Sequence, residues 1–164
     1  MSDTERPEAA QVRTPLVRCP GCGVTASGTG ATHRYIGASP GCWSQFGELL
    51  VSGITPPAHD TYAAQHRGVP GPQSLRSVAG HLMSLCRVVE RGARPETAVA
   101  SLRSVQRDFP WLEPPPLQGT RTVADVLAGR CDRRAYAESV WAAWAPHHPA
   151  VRTWLDETER DRGS

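Results

Sequence analysis

Lysine is missing from this chain: all 18 basic residues among its 164 are arginine. That absence removes a Schiff-base lysine and the phosphate-gripping lysine of a Walker loop from consideration. No run of about 18 apolar residues is present to span a bilayer, and the stretch from Met1 to Thr14 lacks the apolar h-region of a secretory signal. Neither H-E-x-x-H nor the paired H-x-E and P-C-x-x-C elements occur, which sets aside zincin and nucleobase-deaminase chemistry. Period-two alternation never extends beyond a few residues, leaving room for at most a small β ribbon. Excess charge is also scarce. A net charge of +2, with Arg interspersed among Asp and Glu, provides no basic stripe, so nucleic acid is not an expected partner.

What is present reads as one small helical domain. An apolar share of 39% and a mean hydropathy of -0.40 suit a globular chain with a single core. Residues 1–15 are charged, Pro-containing and aperiodic, and are expected to be a disordered lead-in; residues 16–155 should form the domain, and 156–164 a charged tail. Ser39-Pro40 predicts a capped helix start, with Trp43, Phe46, Leu49 and Leu50 at helical spacing before Gly53. Thr55-Pro56-Pro57 repeats the signal and opens a helix that places His59, Tyr62 and His66 on one face. Ser74 to Arg91 carries the strongest stripe, Leu75, Val78, Leu82, Leu85, Cys86 and Val89. Pro95 starts another helix, with Val99, Leu102 and Val105 on one side, and Phe109 to Pro116 should be a loop crossing the surface. Thr122 with Asp125 predicts a capping pair for a short helix, and Asp132 caps the next, whose Tyr136, Val140, Trp141 and Trp144 face the core until Pro146. Pro149 then restarts a turn or two with Val151, Trp154 and Leu155. The expected fold is mainly α, an irregular or orthogonal helical bundle with an N-terminal loop whose C-x2-C pair, Cys19 and Cys22, makes it zinc-bearing.

Cys19-Pro20-Gly21-Cys22-Gly23 is the richest motif, because two thiols separated by a tight turn present two sulfurs to one metal ion. Cys42 falls in the first turn of a predicted helix, where free backbone N–H groups and the helix dipole favour the thiolate. Five cysteines, an odd number, in a chain without a secretory signal argue for reduced thiols and a cytoplasmic location rather than a disulfide framework. Cys86 and Cys131 read as structural. His147 and His148, after Pro146, are expected to satisfy helix-end carbonyls. His66 is the expected fourth zinc ligand, with Tyr62 and Gln65 as neighbours that orient or cover the ion. Two alternatives stand beside it: His33, which would complete a compact C-x2-C-x10-H-x8-C module, and His81, which flanks a core stripe and reads better as a hydrogen-bonded core histidine.

These motifs resemble a family of small bacterial proteins of the domain-of-unknown-function kind. The resemblance is carried by Cys-Pro-x-Cys-Gly at 19–23, Cys42-Trp43 and Tyr62-Ala63-Ala64-Gln65-His66, and it extends through Thr32 to Trp43, Gln73-Ser74, His81-Leu82, Phe109 to Leu112 and Trp141 to His148. It implies a helical, metal-binding protein without a known activity. One departure is Thr55, which stands where similar chains carry a further histidine; His59 lies nearby.

Two classes of function follow from the residues. In the first, a closed shell of Cys19, Cys22, Cys42 and His66 holds a structural zinc, and the protein binds a small-molecule or protein partner, with Phe109-Pro110-Trp111-Leu112 as the candidate contact. In the second, an open site of three cysteines, with or without a histidine, makes a small zinc-dependent hydrolase or lyase. There His33, His66 or Glu48 would act as acid or base, and His33, Tyr35, Tyr62, Gln65 and His66 would line a pocket.

Overall fold

Proline and capping residues set the helix boundaries. In the computed structural model, which describes residues 14–53, 56–100 and 107–162, a short antiparallel hairpin of β1 (Leu16–Arg18) and β2 (Thr25–Ser27) pairs Leu16 with Ser27 and Arg18 with Thr25. The helices follow: α1 (Pro40–Val51), α2 (Pro56–Gln65), α3 (Pro72–Val89), α4 (Pro95–Ala100), α5 (Val123–Leu127), α6 (Arg133–Ala143) and α7 (His148–Arg162), with a 3₁₀ turn at Ala145–His147 before α7. Ser39 caps α1 and Asp132 caps α6, while Thr122 and Asp125 form a reciprocal capping box on α5. Each cap satisfies a backbone N–H that the first helical turn leaves without a partner.

Two hydrophobic clusters organise the packing. The larger gathers Leu82, Met83 and Leu85 of α3, Tyr136, Val140 and Trp141 of α6, Trp144, and Val151, Trp154 and Leu155 of α7. The smaller packs Cys19 and Cys22 of the hairpin turn with Cys42, Phe46 and Leu49 of α1, Ala58 and Tyr62 of α2, and Val123 of α5. Helix α2 lies between them, contributing Ala64 to the first and Tyr62 to the second. The fold is thus mainly α, with a two-stranded ribbon beside the cysteines, as the sequence implies.

Two expectations need correction. The segment from Asp156 is not a trailing tail: α7 continues to Arg162, because Thr158 extends the buried row of Val151, Trp154 and Leu155. Its charged side chains pair back onto α3, with Arg87 to Glu159 at 2.9 Å and Arg91 to Asp156 at 2.5 Å. The Phe109–Pro116 loop also does more than cross the surface. Phe109 is buried against Trp154, and half-buried Trp111 packs on the larger cluster beneath the Arg67 guanidinium, 4.5 Å from its ring centre. Trp111 is therefore part of the core's edge rather than a free anchor. The lead-in up to residue 13, Thr55, Leu102 and Val105 lie outside the described residues.

Candidate metal centre

The hairpin turn carries Cys19 and Cys22. Cys19 N–H donates to Val24 O at 2.8 Å and Gly23 N–H returns to Cys19 O at 2.9 Å, a closed loop that aims both thiols inward. Gly23 takes φ 79°, a conformation that suits glycine. Gly21 serves proximity instead: a Cβ there would lie 2.6 Å from His66 Cδ2 and 2.8 Å from Gln65 O, so the turn reaches the end of α2 only without a side chain.

Cys42 stands in the first turn of α1, its N–H directed at Ser39 Oγ at 3.4 Å. His66 follows the last residue of α2, where its N–H donates to Tyr62 O at 2.9 Å. Its Nδ1 also lies 2.9 Å from Tyr62 O. A carbonyl can only accept, so Nδ1 carries the proton and Nε2 presents a lone pair. Nε2 is 3.4 Å from Cys42 Sγ, which in turn is 3.8 Å from Cys22 Sγ. The ligand atoms of Cys19, Cys22, Cys42 and His66 all lie within 4.8 Å of one another. Exposure is 0% for Cys19, Cys42 and His66 and 3% for Cys22. These four side chains could hold a metal ion.

The electrostatics point the same way. Without a cation the three packed thiols oppose one another: hydrogen bonds from Cys22 and then Cys42 favour a thiolate on Cys19, which drives Cys22 upward and pushes Cys42 up to about 11. A cation at the centre would let all three ionise. Tyr62 closes one side, its ring stacked between Phe46 at 4.0 Å and His66 at 3.9 Å and its hydroxyl 3.5 Å from Cys42 Sγ. Burial, foremost, raises the phenol, so it stays neutral and can donate to sulfur.

Next to this cluster lies a cavity of about 220 Å³ whose wall includes His33, Tyr35, Trp43, His59, Tyr62 and His81. The alternative candidates for the fourth ligand, His33 and His81, line this cavity rather than joining the cysteine cluster. His33 is exposed, accepts Tyr35 N–H on Nδ1 at 3.3 Å and packs against Trp43. Tyr35 stands at the rim under Arg34. His81 is held by Asp60, Nδ1 to Oδ1 at 2.7 Å, the hydrogen-bonded histidine the sequence suggests. Gln65 is a correction: it neither covers the ion nor lines this cavity. It donates to Thr120 Oγ1 and Arg121 O and accepts from Tyr136 O–H at 2.6 Å, fastening α2 to α6 and the loop before α5. Glu48 is likewise exposed on α1, away from the cavity wall. His148 approaches the carbonyl of Trp141 in the last turn of α6, as its helix-end position suggests, whereas His147 approaches the loop carbonyl of Glu113.

Sequence reasoning passed over two features. Asp60, at 3% exposure, joins His59 and His81, and the adjacent His-Asp pair on a buried helix was the available signal. Gly37-Ala38-Ser39-Pro40-Gly41 spells G-x-S-x-G, the spacing of a hydrolase nucleophile elbow. Ser39 is spent otherwise, as the buried cap of α1 with Cys42 N–H as its partner.

Comparison with known proteins identifies the group to which this arrangement belongs. Residues 17–145 match a family of unknown function, DUF5946. The chain is a member of that family. Comparisons with curated proteins and with solved structures give no match. The part that matches DUF5946 takes in all four clustered ligands and the cavity wall, and ends at Ala145, before α7 begins.

Proposed function

We propose that this DUF5946 member is a zinc-binding helical module in which a structural zinc, held by Cys19, Cys22, Cys42 and His66, builds and braces the wall of a small ligand-binding cavity. One observation carries the reading: four soft or borderline donors converge in a shell that water does not reach. Three thiolates and an imidazole suit Zn²⁺, and four protein ligands complete its preferred tetrahedron. The His66 Nδ1–H to Tyr62 carbonyl contact is the outer hydrogen bond that a metal-bound imidazole characteristically makes. Bound zinc would supply charge neutralisation and a cross-link between the hairpin, α1 and α2. Reduced thiols fit the cytoplasm, and the cavity, walled by aromatic rings and imidazoles, suits a small molecule better than a broad protein surface. An open catalytic site is disfavoured by the burial of His66 and the three sulfurs together.

The experiment is metal analysis followed by cobalt substitution. One tightly held zinc per chain at this cluster, a tetrahedral cobalt spectrum with strong sulfur-to-metal absorption, and no change in that absorption on adding azide are expected. An anion-dependent shift of the sulfur-to-metal absorption would mean an exchangeable position at the cysteines and would return the enzyme reading to first place.

A further inference from the structure

We propose that His59, Asp60 and His81 form a second site for a divalent cation, separate from the cysteine cluster, with its open coordination positions facing the cavity. His59 and Asp60 are neighbours on α2, and His81 comes from α3, which packs beside it. Asp60 Oδ1 lies 2.7 Å from His81 Nδ1 and 3.9 Å from His59 Nδ1, and the three donor atoms are within 4.8 Å of one another. Side-chain exposure is graded from 4% at Asp60 through 18% at His81 to 52% at His59, a buried anchor with a solvent-accessible rim.

Charge argues for a cation here. The chain holds 18 arginines, yet among the described residues Asp60 is paired with none of them; its partners are the two imidazoles and the Ser84 hydroxyl, which donates to Oδ2 at 2.6 Å. A buried carboxylate without a fixed positive neighbour is costly, and a metal ion relieves that cost directly. Ser84 holds Oδ2 and thereby turns Oδ1 toward the histidines, the orientation a ligating carboxylate needs. In the absence of metal, His81 Nδ1–H bonds to Asp60, and a cation takes the place of that proton. Two imidazoles and one carboxylate leave the remaining positions of a first-row divalent ion to water or a ligand. Because His59 and His81 both line the cavity, those positions open into it, beside Tyr62 and Trp43. The ligand class that fits is a small molecule able to coordinate a metal through oxygen or nitrogen while its apolar part lies on the aromatic wall. This site stands independently of the zinc reading above.

The test counts metal in the full-length protein equilibrated with buffered Zn²⁺, and repeats the count with Co²⁺ while reading the sulfur-to-metal absorption. Wild type is expected to hold two ions, and His81→Gln and His59→Ala one each with that absorption intact. A wild type holding one ion with full sulfur-to-metal absorption, or a His81→Gln protein still holding two, overturns the proposal. One ion without that absorption would place metal at the histidines and fail the cysteine reading instead. Should a variant not fold, Mn²⁺ added to wild type decides the matter, since thiolates hold it poorly. It should broaden the ring-proton resonances of His59 and His81 well before those of His147 and His148; equal broadening of all four, or of none, overturns the site.

Discussion

At His66 a single ring does two jobs: Nδ1–H donates to a carbonyl one turn back in its own helix, while Nε2 faces sulfur. Substituting it should therefore remove both a ligand and the brace on α2. His66→Ala is expected to release the ion from the cysteine cluster, whereas His81→Ala leaves that ion in place, as read by the sulfur-to-metal absorption of the cobalt form; the reverse pattern would move the fourth ligand to α3. Gly21→Ala tests the close approach of the turn to α2. The added methyl meets both the imidazole and a backbone oxygen, so metal affinity should fall by roughly 10–100-fold, the scale on which disturbed outer contacts act. The cysteines and His66 were legible because the C-x2-C turn and the Tyr-x-x-Gln-His run are local patterns. Gln65 misled because it adjoins His66 in sequence, yet successive helical side chains point roughly 100° apart. The two go to different faces of the molecule, His66 to Cys42 and Gln65 to Tyr136.

Among the elements, α7 shows how a charged segment becomes structure. Thr158 is buried, donates to Trp154 O and rests on Met83 of α3. Outside it, Glu159 bridges Arg87 and Arg91. Deleting residues 156–164 should destabilise the protein by on the order of 2 kcal/mol in urea unfolding, since it strips a buried turn from α3. Glu159→Gln, which removes only partly exposed ion pairs, should cost less than about 1 kcal/mol; equal effects would mean the helix end is held by charge alone. Glu90, just past the end of α3, ties three helices together. It accepts from Arg152 Nη2–H at 2.7 Å and from Trp141 Nε1–H at 3.0 Å. The Arg152 hydrogen bond, foremost, holds its carboxyl at about 2, below the ordinary 4.5. A carboxylate depressed on folding stabilises above its unfolded value and loses that contribution as pH falls through the window from 4.5 toward 2. Wild type should accordingly lose more stability between pH 5 and pH 3 than Glu90→Gln does in parallel urea titrations; matching slopes would discount the contact.

For the molecule as a whole, the two hydrophobic clusters imply unequal dependence on metal. Cys19, Cys22 and Cys42 belong to the smaller cluster, while α3, α6 and α7 build the larger one without them. Removing the ion with a strong chelator should abolish amide-exchange protection in the hairpin and α1 first and leave much of α3 and α6 protected. Uniform loss of protection would instead show that the metal cross-link supports both clusters together.

Amino-acid order alone settled where most helices start, that strands would be few, and which two thiols form a turn. Those features rest on interactions within about four residues, such as the Ser39 cap and the Thr122–Asp125 box. Only the packed chain decided among three candidate imidazoles, drew residues 156–162 into α7, and set Asp60 between two histidines beside a cavity. Such outcomes depend on which faces of separate helices meet: His66 reaches Cys42 across 24 positions and Ser84 reaches Asp60 across another 24. No local pattern encodes a meeting of that kind, because it follows from burying the apolar faces of α1, α2 and α3 together.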